Sequence, residues 1–134
     1  ARRHSTDMQP PPENPYKGVT GIRRIWYALG YSLAGLKVAY RGEAAFRQLV
    51  WLALVLIPIA CVLPVSSVAR ALLIACVVLS LVVELLNSAI EAAIDRISLE
   101  RHPLSKASKD MGSAAQLFSL ILIAVVWSLV LLGG

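Results

Sequence analysis

The stretch VARALLIACVVLSLVVELLNSAIEAAIDRIS, residues 68–98, changes character part-way along its length. Up to Val83 it is apolar apart from Arg70 and Ser80. From there Glu84, Asn87, Glu91 and Asp95 follow at steps of three, four and four residues. On a helix those steps place all four side chains on one face. The apolar part predicts a membrane-spanning helix from about Val68 to Ile90, continuing with a polar face to about Ser98. Glu84 then lies about six residues, roughly 9 Å of helix, inside the boundary near Ile90. An ionisable group at that depth is costly and points to function by default.

Two further runs have spanning length, about residues 44–63 and 112–132. Pro58 interrupts the first, where it should introduce a kink that lipid-embedded helices tolerate. The links are read as residues 64–67 and 99–110. The chain is 57% hydrophobic and 16% charged over 134 residues, too apolar and too clustered for a soluble domain. This is an all-α integral membrane protein with one domain over residues 20–134. Residues 1–19 are polar and Pro-rich, lack an apolar signal-peptide core, and form a flexible tail in this reading.

Residues 20–41 carry Ile22, Ile25, Trp26, Leu29, Leu33, Leu36 and Tyr40 at helical spacing, with Arg23, Arg24, Lys37 and Arg41 among them. The segment is too charged to span and fits an amphipathic helix at the membrane surface, where periodicity alone favours an anchor without chemistry of its own. Gly30 and Gly35 either weaken it or admit a close neighbour. Cys61 and Cys76 are packing residues, since their spacing suits neither metal nor redox chemistry.

The net charge of +5 is distributed as a membrane protein distributes it. Eight Lys or Arg precede the first span or lie in its first turn, four lie from Arg96 to Lys109, and only Arg70 lies at the opposite end. The N-terminus and the second link are therefore expected on the cytoplasmic side, and the C-terminus across the membrane. The same distribution leaves no soluble basic face for nucleic acid.

Asn87 and Ser88 read equally well as interhelical glue. Unpaired carboxylates make poor glue, which favours chemistry at Glu84 and Glu91. Asp95 and Arg96 sit at the interface, where a solvated or ion-paired role is expected. Carboxylates without a Cys or His cluster suit a hard cation such as Mg²⁺. Glu43 stands at the membrane level of Glu91, and Arg101, His102, Lys106 and Lys109 offer contacts to phosphate. Together these compose a phosphoryl-transfer site. Neither GxxxxGK[ST] nor GxGxxG is present, so nucleotide binding would use no standard Gly-rich loop. Gly112 opens a run of small residues, 112–115, read first as close helix packing and second as substrate access.

The strings GYSLAGLK, EAAFRQ, VELLNSAIEAAIDRI and KASKDMGSAAQ closely resemble the prokaryotic diacylglycerol kinases over about residues 20–116. The resemblance implies a homotrimer of three-span subunits in the bacterial inner membrane, phosphorylating diacylglycerol with ATP and Mg²⁺. It implies Glu84 as catalytic base, with Asn87 supporting it, and Glu43 and Glu91 as metal ligands. Arg24, Tyr31, Glu100, His102, Lys109 and Asp110 would join Glu43 and Glu91 at the nucleotide. Arg24, Ser32, Lys37, Arg70, Ser113 and Trp127 would line the lipid path, and Asp95 would support the site. Leu49 stands where this family usually has an acidic residue, Ala34 where it has a basic one, and Arg101 where it has an aromatic. Two rivals are an undecaprenol kinase of the same family and an oligomeric proton or cation pathway. The apolar outer half of each span argues against the pathway.

Overall fold

The computed structural model describes residues 20–133 and is helical throughout. The tail expected over residues 1–19 lies outside the described residues. Four helices follow in order: α1 (Ile22–Gly42), α2 (Ala44–Val62), α3 (Ser67–Ile97) and α4 (Pro103–Leu132). Helices α2, α3 and α4 are each long and apolar enough to cross a membrane, which makes this a multi-pass membrane protein.

The chain divides into two compact units. Residues to Leu36 belong to the first, and residues from Lys37 onward to the second. In the first unit α1 runs unbroken through Gly30 and Gly35, where a side chain would meet nothing within 4 Å. The two glycines therefore neither break the helix nor mark a close approach within this chain.

In the second unit α3 is the central element, packed against both α2 and α4. A single extended residue, Glu43 (φ −119°, ψ 110°), separates α1 from α2. The Arg47 guanidinium spans this break, donating to the carbonyls of Tyr40 (2.9 Å) and Arg41 (3.0 Å) at the end of α1. Helix-terminal carbonyls lack intrahelical partners, and Arg47 supplies them. Pro58 lies inside α2 without ending it.

The turn between α2 and α3 is closed twice. Ser66 caps α3 by accepting from the amide of Ala69 at 3.1 Å. Arg70 reaches back across the turn to the carbonyls of Ala60 (3.1 Å), Leu63 (2.9 Å) and Val65 (3.4 Å). Next to this turn lies the apolar core: Ala53 and Ala60 of α2, Leu73, Cys76 and Val77 of α3, and Ile123 and Trp127 of α4. Cys76 packs here as expected, whereas Cys61 is exposed within the chain.

Helix α4 departs from the expected link. It begins at Pro103 rather than near Gly112, with His102 as N-cap, its Nδ1 accepting from the amide of Leu104 at 3.1 Å. Proline at the first helical position is pre-organised for a helix start. Lys106 and Asp110, one turn apart, then pair at 2.6 Å. The charged stretch before the third span is thus its first turns, and the non-helical connection shrinks to residues 98–102.

Candidate active site

Helices α3 and α4 run antiparallel, so the cytoplasmic end expected for α3 meets the start of α4. Gly112 faces Asn87, Gln116 Nε2 donates to the Ser80 carbonyl (3.4 Å), and Trp127 Nε1 donates to the Leu73 carbonyl (3.3 Å). Ser119 Oγ lies 2.6 Å from Gln116 Oε1, and Ser80 Oγ donates to the Val77 carbonyl at 2.6 Å. A polar seam therefore climbs from the apolar core toward the carboxylate stripe.

Glu84 is the carboxylate at the inner end of that stripe, and its residue is only 6% exposed. It lies close enough to Glu91, two turns along α3, and to Glu43, at the α1–α2 break, to feel both like charges. Among the described residues none of the three is hydrogen-bonded or ion-paired to a cation. Lys109 feels the charge of Glu91 without pairing with it, and Glu43 and Glu91 are half-exposed toward the helix ends. Among the described residues no three His, Cys, Asp or Glu side chains form a complete metal-ligating cluster. Two carboxylates suffice for Mg²⁺ when phosphate oxygens and water supply the remaining positions, so the donor set fits that ion.

Beyond the stripe an open cleft of about 680 Å³ lies between the end of α3 and the start of α4. Asp95, Glu100, Arg101, His102, Lys106 and Lys109 line it, among others. Three predicted nucleotide residues, Glu100, His102 and Lys109, therefore share one cleft. Asp110 is outside its lining and pairs with Lys106. Asp95 has the interfacial role expected of it, accepting from Lys109 Nζ at 2.8 Å. That ion pair ties α3 to α4 at the rim, between partners that are both substantially exposed.

Within the second unit the expected lipid-path residues are dispersed. Ser113 is exposed on α4 beside Gly112, and Lys37 is exposed on α1. Arg70 and Trp127 are placed toward the other end of the bundle. Fourteen residues of α3 separate Arg70 from Glu84, about 21 Å of helix. Both side chains are engaged with backbone carbonyls there. In the first unit Arg24 and Ser32 lie on exposed turns of α1, with Ser32 Oγ donating to the Ala28 carbonyl at 2.8 Å, and Tyr31 lies beside Ser32.

Sequence reading missed the carbonyl-capping roles of Arg70 and Arg47 and the Gln116–Ser80 bridge. A lone basic residue on the otherwise uncharged side was the available signal for Arg70. The small-residue run did signal close packing, and Gly112 is buried against Asn87. Among the described residues, Asn87 Oδ1 and Ser88 Oγ are buried without a hydrogen-bond partner.

The fold and the site define a polytopic membrane protein with Glu84, Glu91 and Asp95 running toward the α4-start end of α3. The sequence pattern of the prokaryotic diacylglycerol kinases matches residues 30–131. The chain is 64% identical over 120 residues to a diacylglycerol kinase of Pseudomonas aeruginosa, covering 90% of this chain and 98% of that protein. A diacylglycerol kinase of Escherichia coli is 50% identical over 84% of this chain and 92% of its own length. One of Helicobacter pylori is 46% identical over 95% of each. The chain belongs to the prokaryotic diacylglycerol kinase family.

Proposed function

We propose that this chain transfers the γ-phosphoryl group of ATP to the free hydroxyl of diacylglycerol, making phosphatidate at the cytoplasmic face of the bacterial inner membrane. The observation that carries the reading is Glu84: a buried carboxylate within the span, without a cationic partner, on one stripe with Glu91 and near Glu43. A lipid hydroxyl reaches such a depth from the bilayer, and a water-soluble nucleotide reaches the same end of α3 through the cleft.

In this mechanism Glu84 takes the proton from the lipid hydroxyl as its oxygen attacks the γ-phosphorus. The bond to the β–γ bridging oxygen breaks in line, and ADP leaves. Glu43 and Glu91 would hold Mg²⁺, which would neutralise charge on the phosphates. Lys109, His102 and Glu100 orient the nucleotide from the cleft, with Asp110 at its edge. Lys109 is held toward α3 by Asp95, which places a fixed positive charge beside the stripe. Arg24, Tyr31, Ser32, Lys37 and Ser113 carry their substrate roles on family resemblance alone.

The assembly in this reading is a homotrimer with its sites completed between subunits and α1 lying on the membrane surface. Supporting it, the apolar part of α4 is only 11% buried within one chain, so most of its faces are left for lipid or other copies. The relatives carry the name diacylglycerol kinase, which favours that lipid over undecaprenol.

The test is transfer of labelled γ-phosphate from ATP to diacylglycerol in mixed micelles, with wild type beside Glu84→Gln. Labelled phosphatidate from wild type alone is expected. Comparable rates would reject Glu84 as the base, and product only with undecaprenol would reject the lipid.

A further inference from the structure

Three observations converge one turn above Glu84. Asn87 lies three residues along the same face of α3, and helical side chains lean over the preceding turn, here the turn carrying Glu84. Its Oδ1 is buried and accepts no hydrogen bond. Directly opposite, α4 presents buried Gly112, where an added Cβ would overlap Asn87 Oδ1 and stand 3.1 Å from its Cγ. The carboxamide thus occupies space that exists only because residue 112 has no side chain.

This contact is specific to its position. Gly21, Gly30, Gly35 and Gly42 have open space where a Cβ would go, and Gly133 would meet only the Leu129 carbonyl at the end of its own helix. Gly112 also sits one turn before Gln116, whose amide donates to the backbone of Ser80, one turn before Glu84 on α3. The two contacts bracket Glu84 along α3: Gln116 below it and Gly112 above it fix the register of α4. The wall beside the carboxylate is therefore set by helix-to-helix contacts of α4, not by any bond that Glu84 makes itself.

We propose that Gly112 is a positioning residue for the phosphoryl-transfer step, acting through Asn87 on the placement of Glu84. The inference rests on the reading of Glu84 as the base. A methyl group at residue 112 displaces the end of the Asn87 side chain, and the carboxamide moves over the Glu84 turn on which it leans. That movement displaces the base from the lipid hydroxyl, while Asn87 does not line the nucleotide cleft. Near-attack geometry is sensitive to shifts of this size.

The experiment is a double-mutant cycle of Gly112→Ala and Asn87→Ala in the purified full-length protein, with Glu84→Gln alongside. Gly112→Ala is expected to lower kcat at least about tenfold with the KM for ATP and lipid little changed. In the Asn87→Ala background, where the clashing carboxamide is gone, the same substitution should change kcat by less than about twofold. Wild-type kcat in Gly112→Ala, an equal loss in both backgrounds, or a loss confined to KM would each overturn the proposal. If Gly112→Ala does not fold, recovery of folding in the double variant with the kcat of Asn87→Ala supports the contact, and no recovery overturns it. An active Glu84→Gln would instead refute the assignment of the base, whatever Gly112 does.

Discussion

Replacing Arg70 by methionine is expected to loosen the α2–α3 turn end of the bundle while leaving catalysis in place. The guanidinium donates to three backbone carbonyls at 2.9, 3.1 and 3.4 Å, all at the end of α2 or in the turn behind it. The first two distances mark good charge-assisted bonds, each contributing about 1.5–3 kcal/mol when fully desolvated, and the third adds little. Arg70 is half-exposed near the membrane boundary, where water replaces part of what is lost. A destabilisation of about 2–3 kcal/mol remains, including the lost favourable charge at the α2 C-terminus. Methionine keeps most of the aliphatic stem, so packing changes little. The assay is reversible denaturation of the detergent-solubilised protein, read beside the KM for diacylglycerol. A clear fall in stability with an unchanged lipid KM is expected. Unchanged stability with a raised lipid KM would refute the capping argument and place the guanidinium on the lipid.

Glu43→Ala and Glu91→Ala should each raise the Mg²⁺ concentration needed for half-maximal activity. A metal titration that matches wild type would remove the residue from the metal site. Trp127→Phe loses the bond to the Leu73 carbonyl and part of the indole's packing in the core, and should cost at least about 1 kcal/mol, measured by the same denaturation. A raised lipid KM at full stability would move Trp127 from the core to the lipid path.

The three spans were legible because lipid allows little else: long apolar runs must become helices that satisfy their own backbone. The stripe was legible for the same reason, since helical spacing alone aligns Glu84, Asn87, Glu91 and Asp95. The start of α4 was not, because its first turns carry Lys106, Lys109 and Asp110 and resemble a polar link. The cap is His102 rather than one of the residues that usually announce a helix. Arg70 illustrates a second limit. Periodicity places it on α3 but says nothing about carbonyls folded back from α2, which exist only once the hairpin has closed. The Gly112–Asn87 contact lay between these cases: small residues announced close packing, and only the register of two antiparallel helices shows which side chain fills the gap.

That register explains how an apolar bundle carries a group of unpaired carboxylates. Glu84 feels the like charges of Glu91 and Glu43, and none of the three forms an ion pair among the described residues, so these carboxylates do not themselves hold the helices together. The opposite end is built for cohesion. Leu73 and Val77 are fully buried there, Trp127 and Arg70 satisfy backbone carbonyls of neighbouring helices, and among the described residues no buried carboxylate joins them. Between the two ends, the Ser80–Gln116 contact carries the alignment set by the apolar core to the turn that bears Glu84. The cost of desolvated charge is thus confined to one end, where bound Mg²⁺ and phosphate would offset it, while helix alignment is set where no ligand is needed. On this argument substitutions in the outer core should lower stability before they alter substrate affinity, and substitutions at Glu43 or Glu91 should do the reverse.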